Sequence, residues 1–326
     1  MGVRVKFASG IKLVPASLRL PEDPSVMTAP VAFSLLECLR KLDHNDDLIA
    51  TLRSKLARKW MKTNAGYRSP DKCLLFGPQW NFILQPEDGP FIDENFYGSN
   101  IGSYKKELKS LGVVVEIGDG CSLLADYLNS HSSSITITRI YKYLSKFNWE
   151  PTKEEPRNIW LPNGDNDGEW VNSDDCVLHD KSGFFGLQLL SLEKHYDKEL
   201  FSFFSKLGVK SNPSLDDFYK LWKSWEDVGR SLSQSECQTF WEFIVKHWSS
   251  RTENFLSENL SKLPVGSGLK EILMLDKRDV FIADDLYLKD LFEQSSSHPL
   301  FVWYPQPSLP SLPRQKLLEI WQNWCS

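Results

Sequence analysis

Asp174, Asp175, Cys176, His179 and Asp180 lie together in one short segment, and a cysteine beside a histidine can supply a thiolate nucleophile with its base. Two other stretches carry related text, SPDKCLL from Ser69 and ADDLYLKD from Ala283. They place Phe76 and Lys289 in the slot of His179. If that slot did chemistry, both copies would be dead, so the segment is expected to be a structural hairpin. Metal chemistry finds no support either. A zinc site shows paired ligands a few residues apart, whereas His179 and His195 are well separated and His44, His131, His247 and His298 stand alone. The carboxylate pairs Asp93-Glu94, Asp216-Asp217 and Asp284-Asp285 suit turns and helix N-termini as well as acid-base work. The acidic run DNDGE, residues 165–169, lacks the ligand pattern of a calcium loop and reads as a hairpin turn. PSLPSLP, residues 307–313, has the spacing of a proline-rich docking ligand and also of a rigid extended connector, the reading adopted here. No catalytic, cofactor-binding or metal-ligating residue is assigned.

The elements that would have to position such residues come from composition and pattern. The 326 residues carry 41% hydrophobic and 25% charged side chains, enough to bury a core, and 12 Trp, 10 Tyr and 19 Phe put much of that core into aromatic rings. A formal charge of -5 gives no basic field for a phosphate backbone and argues against nucleic-acid binding. Cys38, Cys73, Cys121, Cys176, Cys237 and Cys325 are scattered without a CxxC pair, a usage that suits a reducing compartment. No apolar run approaches the roughly 20 residues of a membrane span, and no secretory leader is evident. An intracellular protein, nuclear or cytoplasmic, is expected.

Along the chain, four prolines within residues 1–30 mark an extended lead-in. Residues 31–42 then have helical apolar spacing, and LIATLRSKLARKW reads as a second helix ending at Trp60. Three amphipathic runs end alike, at Trp60, Trp149 and Trp248. Each is followed by a related turn-strand segment, and two copies continue to a helix closed by Leu-Gly-Val, at Gly112 and Gly208. Those glycines suit left-handed helix stops. Ser214 with Asp217 makes an N-cap, and Ser233 with Glu236 a capping box, before further helices. Trp222, Trp225, Phe240, Trp241, Phe243 and Trp248 recur at helical spacing and are expected in a core.

The expected fold class is therefore α+β, with helix-rich internal repeats and short β-hairpins in two full copies and one partial. The divisions are an N-terminal lead-in and helix at residues 1–45, then unit one at 46–132, unit two at 133–232 and a partial unit three at 233–326. The third unit stops about where the repeat would continue, as in a truncated relative of a longer arrangement.

The blocks GEWVNSDDCVLHD, KELFSFFSKLGVKSNPSLDDFYKLWKSWE, RDVFIADDLYLKDLFE and PLFVWYPQPSLPSLPRQKLLEI resemble the region outside the ATPase domain of the plant NO VEIN-like proteins, a group similar to sacsin. The resemblance spans roughly residues 31–322. It implies kinship with GHKL ATPases of the gyrase and heat-shock-chaperone kind, and a chaperone-associated role. The ATP site of that fold takes a Glu-bearing helix with an Asn, and an Asp-x-Gly-x-Gly loop. The nearest text here, EIGDGC at residues 116–121, has a different order, so ATP binding does not carry over. The expectation is a non-catalytic, protein-binding or chaperone-associated scaffold with an unidentified protein partner. The alternative is a part of a GHKL-type ATP-binding protein whose nucleotide site lies in a domain absent from this chain.

Overall fold

The computed structural model describes residues 18–42, 46–152, 157–164, 167–183, 185–186, 188–266, 271–293, 300–305 and 310–325. The fold is α+β: helices dominate, and strands occur as hairpins and short ladders. Two compact units form, one from Met1–Ser173 with His195–Gly208 and the other from Asp174–Lys194 with Val209–Ser326.

In the first unit, helix α1 (Ala29–Lys41) turns Ala32, Leu35, Leu36 and Leu39 inward, and α2 (Asp46–Leu56) adds Leu52 and Leu56 to the same cluster. The second helix stops at Leu56 rather than at Trp60. The Trp60 amide donates to Arg68 O at 3.1 Å as a hairpin begins, and its indole N–H donates back to the helix at Leu56 O, 2.8 Å. That hairpin is β1 (Met61–Thr63) with β2 (Gly66–Arg68). Beyond it, Leu74 forms parallel bridges with both Phe91 and Val114. Helix α3 (Glu94–Tyr97) is N-capped by Asp93, and α4 (Lys105–Ser110) ends at the first glycine stop. Helices α5 (Cys121–Leu128) and α6 (Ser134–Lys146) pack together, with Trp80 stacked on Tyr143 at 5.6 Å. Buried Asp88 takes a two-pronged bond from Arg139 of α6, 2.7 Å to Nε and 2.5 Å to Nη2. A second hairpin, β3 (Asn158–Pro162) with β4 (Gly168–Asn172), and helix α7 (Phe201–Lys206) complete the unit.

The second unit begins with β5 (Cys176–Val177), which pairs in parallel with β6 (Leu190–Ser191), while Val177 also bridges Lys210 in parallel. The expected hairpin at this segment is therefore a parallel pair, with Cys176 opposite Leu190 and Val177 opposite Ser191. Helix α8 (Leu215–Val228) carries the Ser214–Asp217 capping box, and after β7 (Leu232–Ser233) helix α9 (Gln234–Lys246) carries the Ser233–Glu236 box. Helix α10 (Ser250–Asn259) leads to β8 (Lys262–Gly266), whose partner β9 (Glu271–Asp276) lies at the centre of the order β7-β9-β8. Helices α11 (Leu286–Glu293) and α12 (Arg314–Cys325) follow.

The core of this unit is aromatic. Phe218, Leu221, Trp222 and Trp225 of α8, Cys237, Phe240, Trp241 and Ile244 of α9, and Leu317, Ile320, Trp321 and Trp324 of α12 all share one spacing: first residue, third, fourth and seventh beyond it. The inward stripes meet as rings, with Trp222 at 4.2 Å from Phe240 and Trp241 at 5.7 Å from Trp321 between centroids.

Two further expectations are corrected. Helices α6 and α9 stop at Lys146 and Lys246, before Trp149 and Trp248, and those two tryptophans are only partly buried, whereas Trp60 is fully buried. In the third related segment, the residues after Asp284-Asp285 form helix α11 rather than a strand. The parallel pairing after that hairpin falls earlier, between Phe281 and Phe301.

Candidate functional site

Cys176 is fully buried, and burial, more than neighbouring Asp175, pushes its thiol up to about 12, so it stays protonated and inert at neutral pH. The His179 imidazole meets Glu193 instead, Nδ1 to Oε2 at 2.7 Å, and this hydrogen bond holds the Glu193 carboxyl below the usual carboxylate range. Asp180 shapes a turn: one carboxylate oxygen accepts from the Ser182 amide at 2.9 Å, the other from the Gly183 amide at 3.1 Å. The constellation thus separates into a buried thiol, a surface His-Glu pair and a turn-forming carboxylate.

The other flagged residues have local tasks. Asp93, Asp217 and Asp285 accept from backbone amides at helix starts, as capping carboxylates do. Asp167 accepts from the Gly168 amide where β4 begins, while residues 165–166 lie outside the described residues. The same holds for His44, for His298 and for residues 307–309 of PSLPSLP. Gly120 of EIGDGC is a packing glycine: an added Cβ would meet Trp80 at 2.8 Å and the Tyr143 hydroxyl at 2.9 Å. Among the described residues no group of three or more His, Cys, Asp and Glu could hold a metal ion, and no helix is long and apolar enough to cross a membrane.

A groove of about 870 Å³ runs beside α8 and α9, floored by Phe218 and Phe243, whose rings stack at 3.6 Å. Part of its polar lining is already engaged. Asp180 closes its turn, Glu242 accepts from Gln238 and Ser311, and His247 bonds the Phe243 carbonyl.

Packing among the described residues leaves much of the apolar face of α11 exposed. Asp285 Oδ1 caps the helix, accepting from the Tyr287 amide at 2.7 Å and the Leu288 amide at 3.2 Å. Tyr287, Leu288, Leu291 and Phe292 then fall on one side of the helix, within an arc of about 140° at 100° per residue. All four are exposed. The parallel pairing beside the helix presents Phe281 and Leu300 as well, through the bond from Phe281 N to Leu300 O at 2.8 Å. Across these six residues exposure runs from 42% at Leu300 to 72% at Tyr287. Chemically the surface offers apolar area with the exposed Tyr287 hydroxyl at one edge. Sequence reading missed it by taking ADDLYLKD as a strand. The available signal was an Asp cap followed by apolar pairs four residues apart. No family model, no curated protein and no solved structure matches this chain.

Proposed function

We propose that this protein is a non-catalytic interaction scaffold, with the chaperone-associated role that its resemblance to NO VEIN-like proteins implies, acting inside the cell in the nucleus or cytoplasm. The observation that supports this reading is the exposed apolar face of α11 with Phe281 and Leu300 beside it. Apolar surface held open by a folded scaffold costs solubility, and partner binding is its ordinary use. In the same proposal the chain is built from duplicated units. Its support is that Leu74 and Val177, each following a hairpin and a turn, both sit between two parallel neighbours. Gly112 and Gly208 close α4 and α7 with φ of 97° and 99°.

Two measurements test the scaffold reading on the purified full chain. Titration with Mg-ATP is expected to give no saturable heat and no phosphate release; saturable binding with turnover would overturn it in favour of an ATPase. A photo-crosslinking residue at position 287 is expected to yield a defined adduct in cell extract, and one that disappears in a Leu291→Ser background. Adducts indifferent to that substitution would count against the face.

A further inference from the structure

We infer that the α11 face docks a basic amphipathic helix of a partner protein, a step that rests on the scaffold reading and names the partner's chemistry. The stripe of Tyr287, Leu288, Leu291 and Phe292 has the width that a second helix covers, since an amphipathic helix laid in a groove anchors through residues three and four apart. The charges around it select the partner. Asp284 and Asp285 stand exposed at the N-terminal end, and Asp290 lies about 60° around the helix from Tyr287, one step outside the stripe. The cation of the helix, Lys289, lies on the other flank, with its ammonium 5.8 Å from the centre of the Phe301 ring. Arg314 reaches the N-terminal end as well, its guanidinium donating to Ala283 O at 2.8 Å, and the carboxylates of Asp284, Asp285 and Asp290 still outnumber Arg314 and Lys289 around the strip. A helix with Leu or Phe along one face and Lys or Arg beside it would cover the rings and meet the carboxylates together.

The other occupants fit less well. A second copy of the chain would bring the same carboxylates against Asp284, Asp285 and Asp290. An anionic bilayer would be repelled by them, because interfacial helices that seek such membranes carry Lys and Arg on the polar face.

The test uses the full chain and two labelled 14-residue helices, one alternating Leu faces with Lys, the other with Glu in place of every Lys, followed by fluorescence anisotropy. The Lys helix is expected to bind saturably and at least about tenfold tighter than the Glu helix. The pair Leu288→Ser with Leu291→Ser is expected to weaken it at least about tenfold, as truncation of central anchors does, with an unchanged thermal midpoint as the control for folding. The pair Asp284→Ser with Asp290→Ser should weaken it about threefold and flatten its salt dependence, because exposed charges are screened by salt. Equal binding of the two helices, or binding indifferent to the serine pair at 288 and 291, overturns the inference. Tighter binding of the Glu helix that the same pair abolishes overturns the partner's charge and leaves the scaffold reading standing. Failure of both helices also overturns the inference, and the crosslink at position 287 then judges the scaffold separately. A dimer in sedimentation, or flotation with phosphatidylserine vesicles, that the serine pair abolishes would assign the face to a second copy or to lipid, and overturn it too.

Discussion

Helices α8 and α11 are both amphipathic and both begin with an aspartate accepting from backbone amides, yet the apolar stripe of one is the centre of a core and that of the other is exposed. On α8 the apolar residues fall at Phe218, Leu221, Trp222 and Trp225, and all four are buried against matching stripes on α9 and α12. On α11 they fall at Tyr287, Leu288, Leu291 and Phe292, and all four are exposed. The exposed stripe is the wider one, about 140° against about 100° on α8 at 100° per residue, so width does not account for burial. The difference lies in what else each helix holds. At the end of α8, buried Glu226 accepts from the Ser261 and Lys262 amides at 3.0 and 2.9 Å and from the Trp222 indole at 3.2 Å, fixing the start of β8 against the helix. Tertiary polar bonds commit α8 to one set of neighbours, while the cap of α11 is made within its own segment.

The largest effect should come from emptying the buried stripe. Trp222→Ala removes a ring in contact with Phe240, Trp241 and Trp225, and a cost of about 3–5 kcal/mol is expected in urea unfolding. A cost below about 1 kcal/mol would mean that the stripe is not the core it resembles. Next in size is Glu226→Ala. It strands the Ser261 and Lys262 amides and the Trp222 indole, and leaves Lys223, 3.1 Å from the carboxylate, without that charge. The expected loss is about 3 kcal/mol, with Glu226→Gln recovering part of it because an amide oxygen can still accept. An equal loss in both variants would show that charge rather than acceptor geometry secures the β8 junction.

The comparison also shows what the sequence could reveal. Caps and stripes are local, so Ser214 with Asp217, Ser233 with Glu236, and the aromatic set from Trp222 to Trp241 were legible from residue type and spacing. The α+β class followed from the same patterns. What was not legible depended on distant partners. Trp60 resembles a helix terminus in sequence, but its amide pairs with Arg68 and its indole with Leu56 O, so it belongs to the hairpin. The likeness of ADDLYLKD to SDDCVLHD hid a helix, because an Asp-Asp turn can open either element and only the pairing of Phe281 with Phe301 decides. The exposed face of α11 was invisible for the same reason: exposure is a property of neighbours, and in one dimension both helices simply carry an apolar stripe.

A smaller effect sharpens the contrast at the two caps. Burial alone would raise the Asp217 carboxyl, but the Lys210 ammonium at 2.6 Å and the Ser214 hydroxyl and amide outweigh it and hold it below its usual value. A carboxyl depressed on folding contributes stability above its unfolded pKa, near 3.9 as a rough reference, and that contribution drains as pH falls through the lower folded value. Asp217→Asn should therefore lower stability at neutral pH and flatten its decline below about pH 4. An unchanged acid limb would show that Lys210 does not act through this carboxylate.

The smallest effect bears most directly on function. Leu291→Ser together with Phe292→Ser should change the unfolding free energy by no more than about 0.5 kcal/mol, the usual range for surface positions, since both residues are about half exposed in the folded chain. The same exchange on α8 would cost several times more. If the α11 pair instead destabilised the chain by 2 kcal/mol or more, a range set by the loss of buried apolar groups, the helix would be a hidden part of the core. Its apolar face could not then be available to a partner. Near-neutrality in stability combined with loss of the crosslink at position 287 is the outcome that a docking surface requires, because it separates the contribution of these side chains to binding from their contribution to folding.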